Sequence, residues 1–132
     1  MTSYKAFFFI FILLVAIDYL WTGLIAKKFY VEHLGSLART LNGSFSVNVW
    51  SAVAVYVVLA FGIVYFVLPR LLAMPSTVAF LPGALFGLVV YACYDFTNYA
   101  ILQSYPFTLC LVDILWGTVL CGIVTQIVVM MF

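Results

Sequence analysis

Four stretches of this chain, at about residues 6–25, 47–68, 78–102 and 107–131, run for roughly 20 residues or more with at most one charged residue apiece. The hydrocarbon layer of a bilayer is about 30 Å thick, which takes about 20 helical residues to cross. Lipid offers no hydrogen bonds, so a segment that crosses it must satisfy its own backbone groups, and a lone segment does so as a helix. What remains between the runs is too short for a separate soluble domain. The chain is 68% hydrophobic and 7% charged, against roughly 25% charged in a soluble domain. A soluble fold of 132 residues could not hide that much apolar surface. The expected fold is therefore an all-α, multi-pass membrane protein: one integral membrane domain over residues 1–132, four transmembrane helices in a bundle, and the lipid bilayer as its first partner. The net charge of +1 supplies no basic surface, so nucleic acid is not an expected partner.

The connections support this reading. Lys5 ahead of an apolar run resembles a signal peptide, but Asp18 interrupts the run and no A-x-A site comes after it, so a retained helix is expected. "PRLLAMPS" places Pro69 and Pro75 between the second and third runs. "QSYP" places Pro106 at the start of the fourth, where proline is tolerated. Between the first two runs, "FYVEHLGSLARTLNGSF" sets Tyr30, Leu34, Leu37, Leu41 and Phe45 at helical spacing, with Glu32, Ser36 and Arg39 off that stripe. This predicts an interfacial amphipathic helix over about 29–42. Asn42-Gly43 is a turn signal that ends it, and the Asn42-Gly43-Ser44 glycosylation pattern is read as that turn. His33, beside Glu32, reads as a solvated residue, and Cys93, Cys110 and Cys121, which lack C-x-x-C spacing, as small core residues. Lys27, Lys28 and Arg39 lie on one side and Lys5 and Arg70 on the other; the positive-inside count favours the Lys27/Lys28 side as cytoplasmic by three to two.

At about 1.5 Å per residue, Asp18 and Asp95 each lie about 10 Å from the Lys27/Lys28 side, and Asp113 about 9 Å from it. Three carboxylates on three helices thus share one depth. Asn48, Ser51 and Trp50 open the second helix on that side and offer polar groups to the same layer. "DYLWTG" and "DILWGT" each set a Trp, Trp21 or Trp116, three residues after an Asp, on the same helix face. The indole N–H is a donor that can serve a carboxylate of its own helix or of a neighbour; for Trp21 the alternative is an aromatic-belt anchor. The doubled pattern suggests an inverted repeat relating helices one and four. Gly83, Gly87, Tyr91, Asp95 and Asn98 lie along one face of the third helix, and the glycines form a G-x-x-x-G packing motif. Asp113, Gly117, Cys121 and Thr125 form a matching stripe on the fourth. Both acids are thereby expected to point into the bundle.

A charged residue mid-membrane costs roughly 2.5–3.5 kcal/mol on insertion scales. No Lys or Arg lies within the predicted spans to offset it. The offset must come from protonation, from hydrogen bonds with Asn98, Thr97, Tyr91, Tyr94 and the tryptophans, or from a bound cation. A purely structural hydrogen-bond network is the competing explanation, although an intramembrane ionisable residue is by default a functional-site candidate.

"GALFGLVVYACYDFTNYAIL", "VDILWGT" and "DYLWTG" together resemble a family of small bacterial membrane proteins known only as a domain of unknown function. The most specific parts are Y-x-x-Y-D-x-T-N at Tyr91 to Asn98 and D-x-x-W-G at Asp113 to Gly117; Pro69 fits as well. The resemblance covers nearly the whole chain. It implies a four-helix integral membrane protein, weight on Asp18, Asp95, Asn98 and Asp113, and a bacterial inner membrane, but no activity, cofactor or metal.

Three functions compete. The first is a small transporter or permease that binds a proton, a cation or a cationic solute at the Asp layer, aided by Tyr91, Tyr94, Trp21 and Trp116 through their ring faces; four helices enclose no wide pore, so a homodimer is expected. The second is a non-catalytic subunit of a larger membrane complex. The third is a membrane enzyme on an apolar or lipid substrate with the carboxylates as acid, base or metal ligands; no Ser-His pair, H-E-x-x-H or phosphate loop supports it. The site expected in all three is Asp18, Asp95, Asn98 and Asp113, supported by Trp21, Asn48, Tyr91, Tyr94, Thr97 and Trp116, with Gly83, Gly87 and Gly117 as packing positions.

Overall fold

A computed structural model describes residues 2–132. Four helical stretches among the described residues are long and apolar enough to cross a membrane: Ser3–Ile25, Val49–Leu71, Ser76–Ile101 and Phe107–Met131. The first is α1. A short helix, α2, Lys27–Leu34, comes next, and the second long stretch is α3. The third opens with a 3₁₀ turn, Ser76–Val78, and continues as α4, Phe80–Ile101. The fourth is α5, Phe107–Met131. The chain is an all-α membrane bundle whose apolar outer faces meet lipid.

Helix α2 ends where Gly35 takes a φ of +53°. Beyond it, β1 (Thr40–Leu41) and β2 (Ser44–Phe45) pair antiparallel around Asn42-Gly43, at φ +53° and +80°. Asn-Gly with both residues at positive φ is the two-residue hairpin turn that matches strand twist. The stripe expected over 29–42 is therefore corrected. It stops at Leu34, because glycine admits a backbone that ends the helix, and Asn-Gly folds residues 40–45 into a hairpin. Tyr30 and Leu34, together with Phe29, pack on Tyr105, Leu109 and Cys110, whereas Leu41 is exposed. This helix is docked onto the bundle.

The central element is α5, which buries Asp113, Gly117, Cys121 and Thr125 together with Leu120, Val124 and Val128. It lies against α4 through small residues. A Cβ at Gly87 would strike the Gly117 carbonyl oxygen, one at Gly83 would strike Thr125 and the Cys121 carbonyl, and one at Gly117 would strike the Tyr91 ring. The main core then forms where Ile10 and Leu14 of α1 and Leu59, Ala60 and Ile63 of α3 meet Leu120, Cys121, Val124 and Val128 of α5.

Two helices change winding. In α1 the backbone passes to π geometry at Tyr19–Ile25, directly after Asp18, and in α3 at Ile63–Val67, directly after Gly62. Wider turns leave carbonyls to find other donors. The Thr22 hydroxyl donates to the Asp18 carbonyl at 2.8 Å. In α3, Pro69 has no N–H to continue the regular ladder.

Candidate functional site: an intramembrane carboxylate layer

The three aspartates come from three helices, and each accepts a hydrogen bond from a different tyrosine. On α1, the Asp18 carboxylate accepts from the Tyr56 hydroxyl of α3 at 2.5 Å and from the Trp116 indole N–H of α5 at 2.8 Å, with Thr22 further off at 3.4 Å. On α5, Asp113 accepts from the Tyr30 hydroxyl of α2 at 3.0 Å. Tyr30 in turn accepts from the Trp21 indole N–H at 3.3 Å. On α4, Asp95 accepts from the Tyr105 hydroxyl at 2.8 Å, while the Cys110 thiol approaches its backbone carbonyl at 3.4 Å.

The doubled Asp-x-x-Trp pattern is thereby cross-connected. Trp116 of α5 serves Asp18 of α1, and Trp21 of α1 serves Asp113 of α5 through Tyr30. The two indoles stack, with ring centroids 4.9 Å apart and 18° between planes. An indole keeps its face for packing while its N–H points at a partner, so one residue type builds both halves of this bridge.

Burial differs across the layer. Asp95 is wholly enclosed and Asp113 is 9% exposed, while Asp18 is half-buried. Asp95 and Asp113 lie within hydrogen-bonding reach of each other. Yet the Asp95 Oδ2 oxygen has no donor among the described residues. Both facts are accounted for if the two groups face each other as acceptors, since two carboxylates need a proton or a cation between them to bond. Asp18 lines the same cavity as Asp113, and no three His, Cys, Asp or Glu groups among the described residues are set to hold one metal ion. The layer is a close pair with a third carboxylate alongside it.

Tyr30 and Tyr105 lie outside the spanning helices. Burial first, then the Asp113 carboxylate, pushes the Tyr30 phenol above the usual tyrosine range. Burial first, then the hydrogen bond to Asp95, does the same for Tyr105. Both stay neutral donors at physiological pH.

The other expected residues divide between the wall of the site and its periphery. Tyr91 and Tyr94 line a cavity shared with Asp18 and Asp113. Asn98 is half-buried beside the Tyr94 and Tyr105 side chains. Thr97 is exposed on the outside of α4 and takes no part in these contacts. Asn48 is exposed at the start of α3, where its side chain accepts from the Ser51 backbone N–H at 3.2 Å as a helix cap, and Trp50 is 86% exposed. The polar group that α3 brings to the layer is Tyr56. Tyr30, Tyr56 and Tyr105 are absent from the expected set. A signal existed for Tyr56: eight residues beyond Asn48 it lies about 12 Å deep, close to Asp18, and a buried phenol needs a partner. Tyr105 sits in a connection and Tyr30 on a helix expected to lie apart, so neither carried a depth.

No curated protein and no solved structure matches this chain. Residues 3–130 match the family described as "Predicted membrane protein (DUF2177)". With all but the chain's outermost residues inside that match and four helices fit to cross a bilayer, this chain belongs to the DUF2177 family of membrane proteins.

Proposed function

We propose that this protein is a small cation-binding permease whose binding layer is Asp18, Asp95 and Asp113. The observation that carries this reading is the Asp95–Asp113 pair: two buried carboxyl groups within hydrogen-bonding reach, one oxygen without a donor, and no Lys or Arg beside them. A structural network would be expected to close its hydrogen bonds, because an unpartnered buried polar atom costs about 1–3 kcal/mol. A proton or a cation between the two groups removes that cost and the mutual repulsion together. Asn98, Trp21, Trp116, Tyr91 and Tyr94 act in this reading as positioning and wall residues. A homodimer in the bacterial inner membrane is the assembly it carries, since four helices enclose no wide path.

The test is flux in proteoliposomes. Wild-type protein is expected to move protons or at least one cation of a panel of sodium, potassium and organic ammonium ions. Asp113→Asn is expected to lower that flux at least tenfold while the protein still reconstitutes as a folded species. Flux that is absent for every cation, or unchanged in Asp113→Asn, overturns the reading.

A further inference from the structure

The cavity that Asp18 and Asp113 share has a volume of about 530 Å³, within the roughly 300–1,000 Å³ range of small-molecule sites. Apart from those carboxylates, Thr22 and two tyrosines, its lining is Val, Leu and Ala from α3 and α4. Its rim is unusual in position. Val55, Val58 and Tyr94 are exposed at 54%, 67% and 60%. Val58 lies nine residues into α3, about 14 Å along a helix of about 34 Å. The rim therefore opens sideways at mid-membrane depth, towards acyl chains rather than water.

Packing explains the opening. The Phe86 ring of α4 sits against Gly62 so closely that a Cβ there would collide with it. The α3 contacts with α4 gather beyond that point, at Ile63–Val67. Nearer α2 the two helices diverge, and the cavity fills the gap between them.

We propose that this cavity takes a lipophilic organic cation, an ammonium group carrying an alkyl or aryl tail, which enters from the bilayer. The ammonium lies between Asp18 and Asp113, with the Tyr91 and Tyr94 rings beside it. The tail runs along Val55, Val58 and Val90. Charge complementarity excludes an anionic amphiphile of the same shape, because two carboxylates face the cavity and no base does. A bare inorganic cation leaves the valine wall without a use. An aromatic ring face and a carboxylate both attract an ammonium, more strongly where water is excluded. This names the substrate class for the cation-binding function above and rests on it.

The experiment measures equilibrium binding of radiolabelled octyltrimethylammonium to the full chain in phosphatidylcholine nanodiscs, relative to empty nanodiscs. Saturable binding is expected, with competition by unlabelled probe. Tetramethylammonium, which lacks the tail, and octyl sulfate, which reverses the charge, are each expected to compete at least tenfold more weakly. Asp18→Asn and Asp113→Asn are each expected to weaken binding at least tenfold. Val58→Trp fills the rim without touching a carboxylate and is expected to abolish binding in protein whose thermal unfolding midpoint is unchanged. Equal competition by octyl sulfate overturns the proposal, as does binding that survives Val58→Trp or both Asp substitutions. If proteoliposomes show Asp113-dependent proton or sodium flux while octyltrimethylammonium does not bind, the substrate class fails and the permease reading stands. If both are absent, both fail.

Discussion

Tyr105 and Asp95 show most sharply what a single side chain does in an enclosed site. Tyr105 is the only donor to a carboxylate that is wholly enclosed, and it reaches one oxygen of two among the described residues. Tyr105→Phe leaves both oxygens without a donor, and a loss of about 1–3 kcal/mol of stability is expected, read by reversible unfolding in mixed detergent micelles. Asp95→Asn has the opposite expectation. Its amide oxygen still accepts from Tyr105, and its N–H group donates to Asp113, so stability is expected to hold or rise. Flux is expected to fall, since the amide occupies the place of the proton or cation. A variant that is at least as stable and less active is a signature of a site kept for function. An Asp95→Asn protein that unfolds more readily than wild type would argue instead that the carboxylate is structurally required.

Helices α4 and α5 meet over glycines because the lipid environment gives helices no hydrophobic drive to associate; close backbone approach and dispersion supply it. Gly87 has the tightest contact with backbone, that of Gly117 on the facing helix. Gly87→Leu is expected to cost about 1–3 kcal/mol or more in the same unfolding assay and to move Asp95 away from Asp113. Helix α2 behaves differently. It is eight residues long, too short to be stable alone, and its fastening to the bundle is the apolar contact with Tyr105, Leu109 and Cys110 plus the Tyr30 hydrogen bond. Tyr30→Phe is expected to speed backbone hydrogen exchange in residues 27–34 while the protection of α5 stays the same. Unchanged exchange in that segment would mean that the apolar contacts alone hold the helix.

Four crossings return the chain to its starting side, so Ser3 and Phe132 lie on one face of the membrane and the hairpin at Ser44 on the other. A membrane-impermeant maleimide applied to intact cells or sealed vesicles is expected to label cysteines introduced at Ser3 and Phe132 alike, and one at Ser44 oppositely. Mixed labelling of the two ends would contradict a bundle of four crossings. On the Ser44 side, α2 covers Asp113 through Tyr30, and the cavity between α3 and α4 reaches Asp18 and Asp113 while Asp95 stays enclosed.

The solvent and the number of apolar spans were legible along the chain. Hydrophobic length and helical rise are local quantities, and Asp18, Asp95 and Asp113 could be placed along their helices without knowing a neighbour. The Gly83, Gly87 and Gly117 face was legible too, because small residues at helical spacing mean one thing in lipid. Which donor meets which acceptor was not. Tyr56, Tyr30 and Tyr105 reach Asp18, Asp113 and Asp95 from another helix or a connection, and Thr97 and Asn48, polar and adjacent in sequence to the site or its helix, face away or cap a helix. The end of α2 at Gly35 and the hairpin beyond it were hidden because a stripe of leucines fits a helix until a backbone break is taken into account. Pairing across helices depends on rotation about each helix axis and on where two helices part. Only the packed bundle fixes those two quantities.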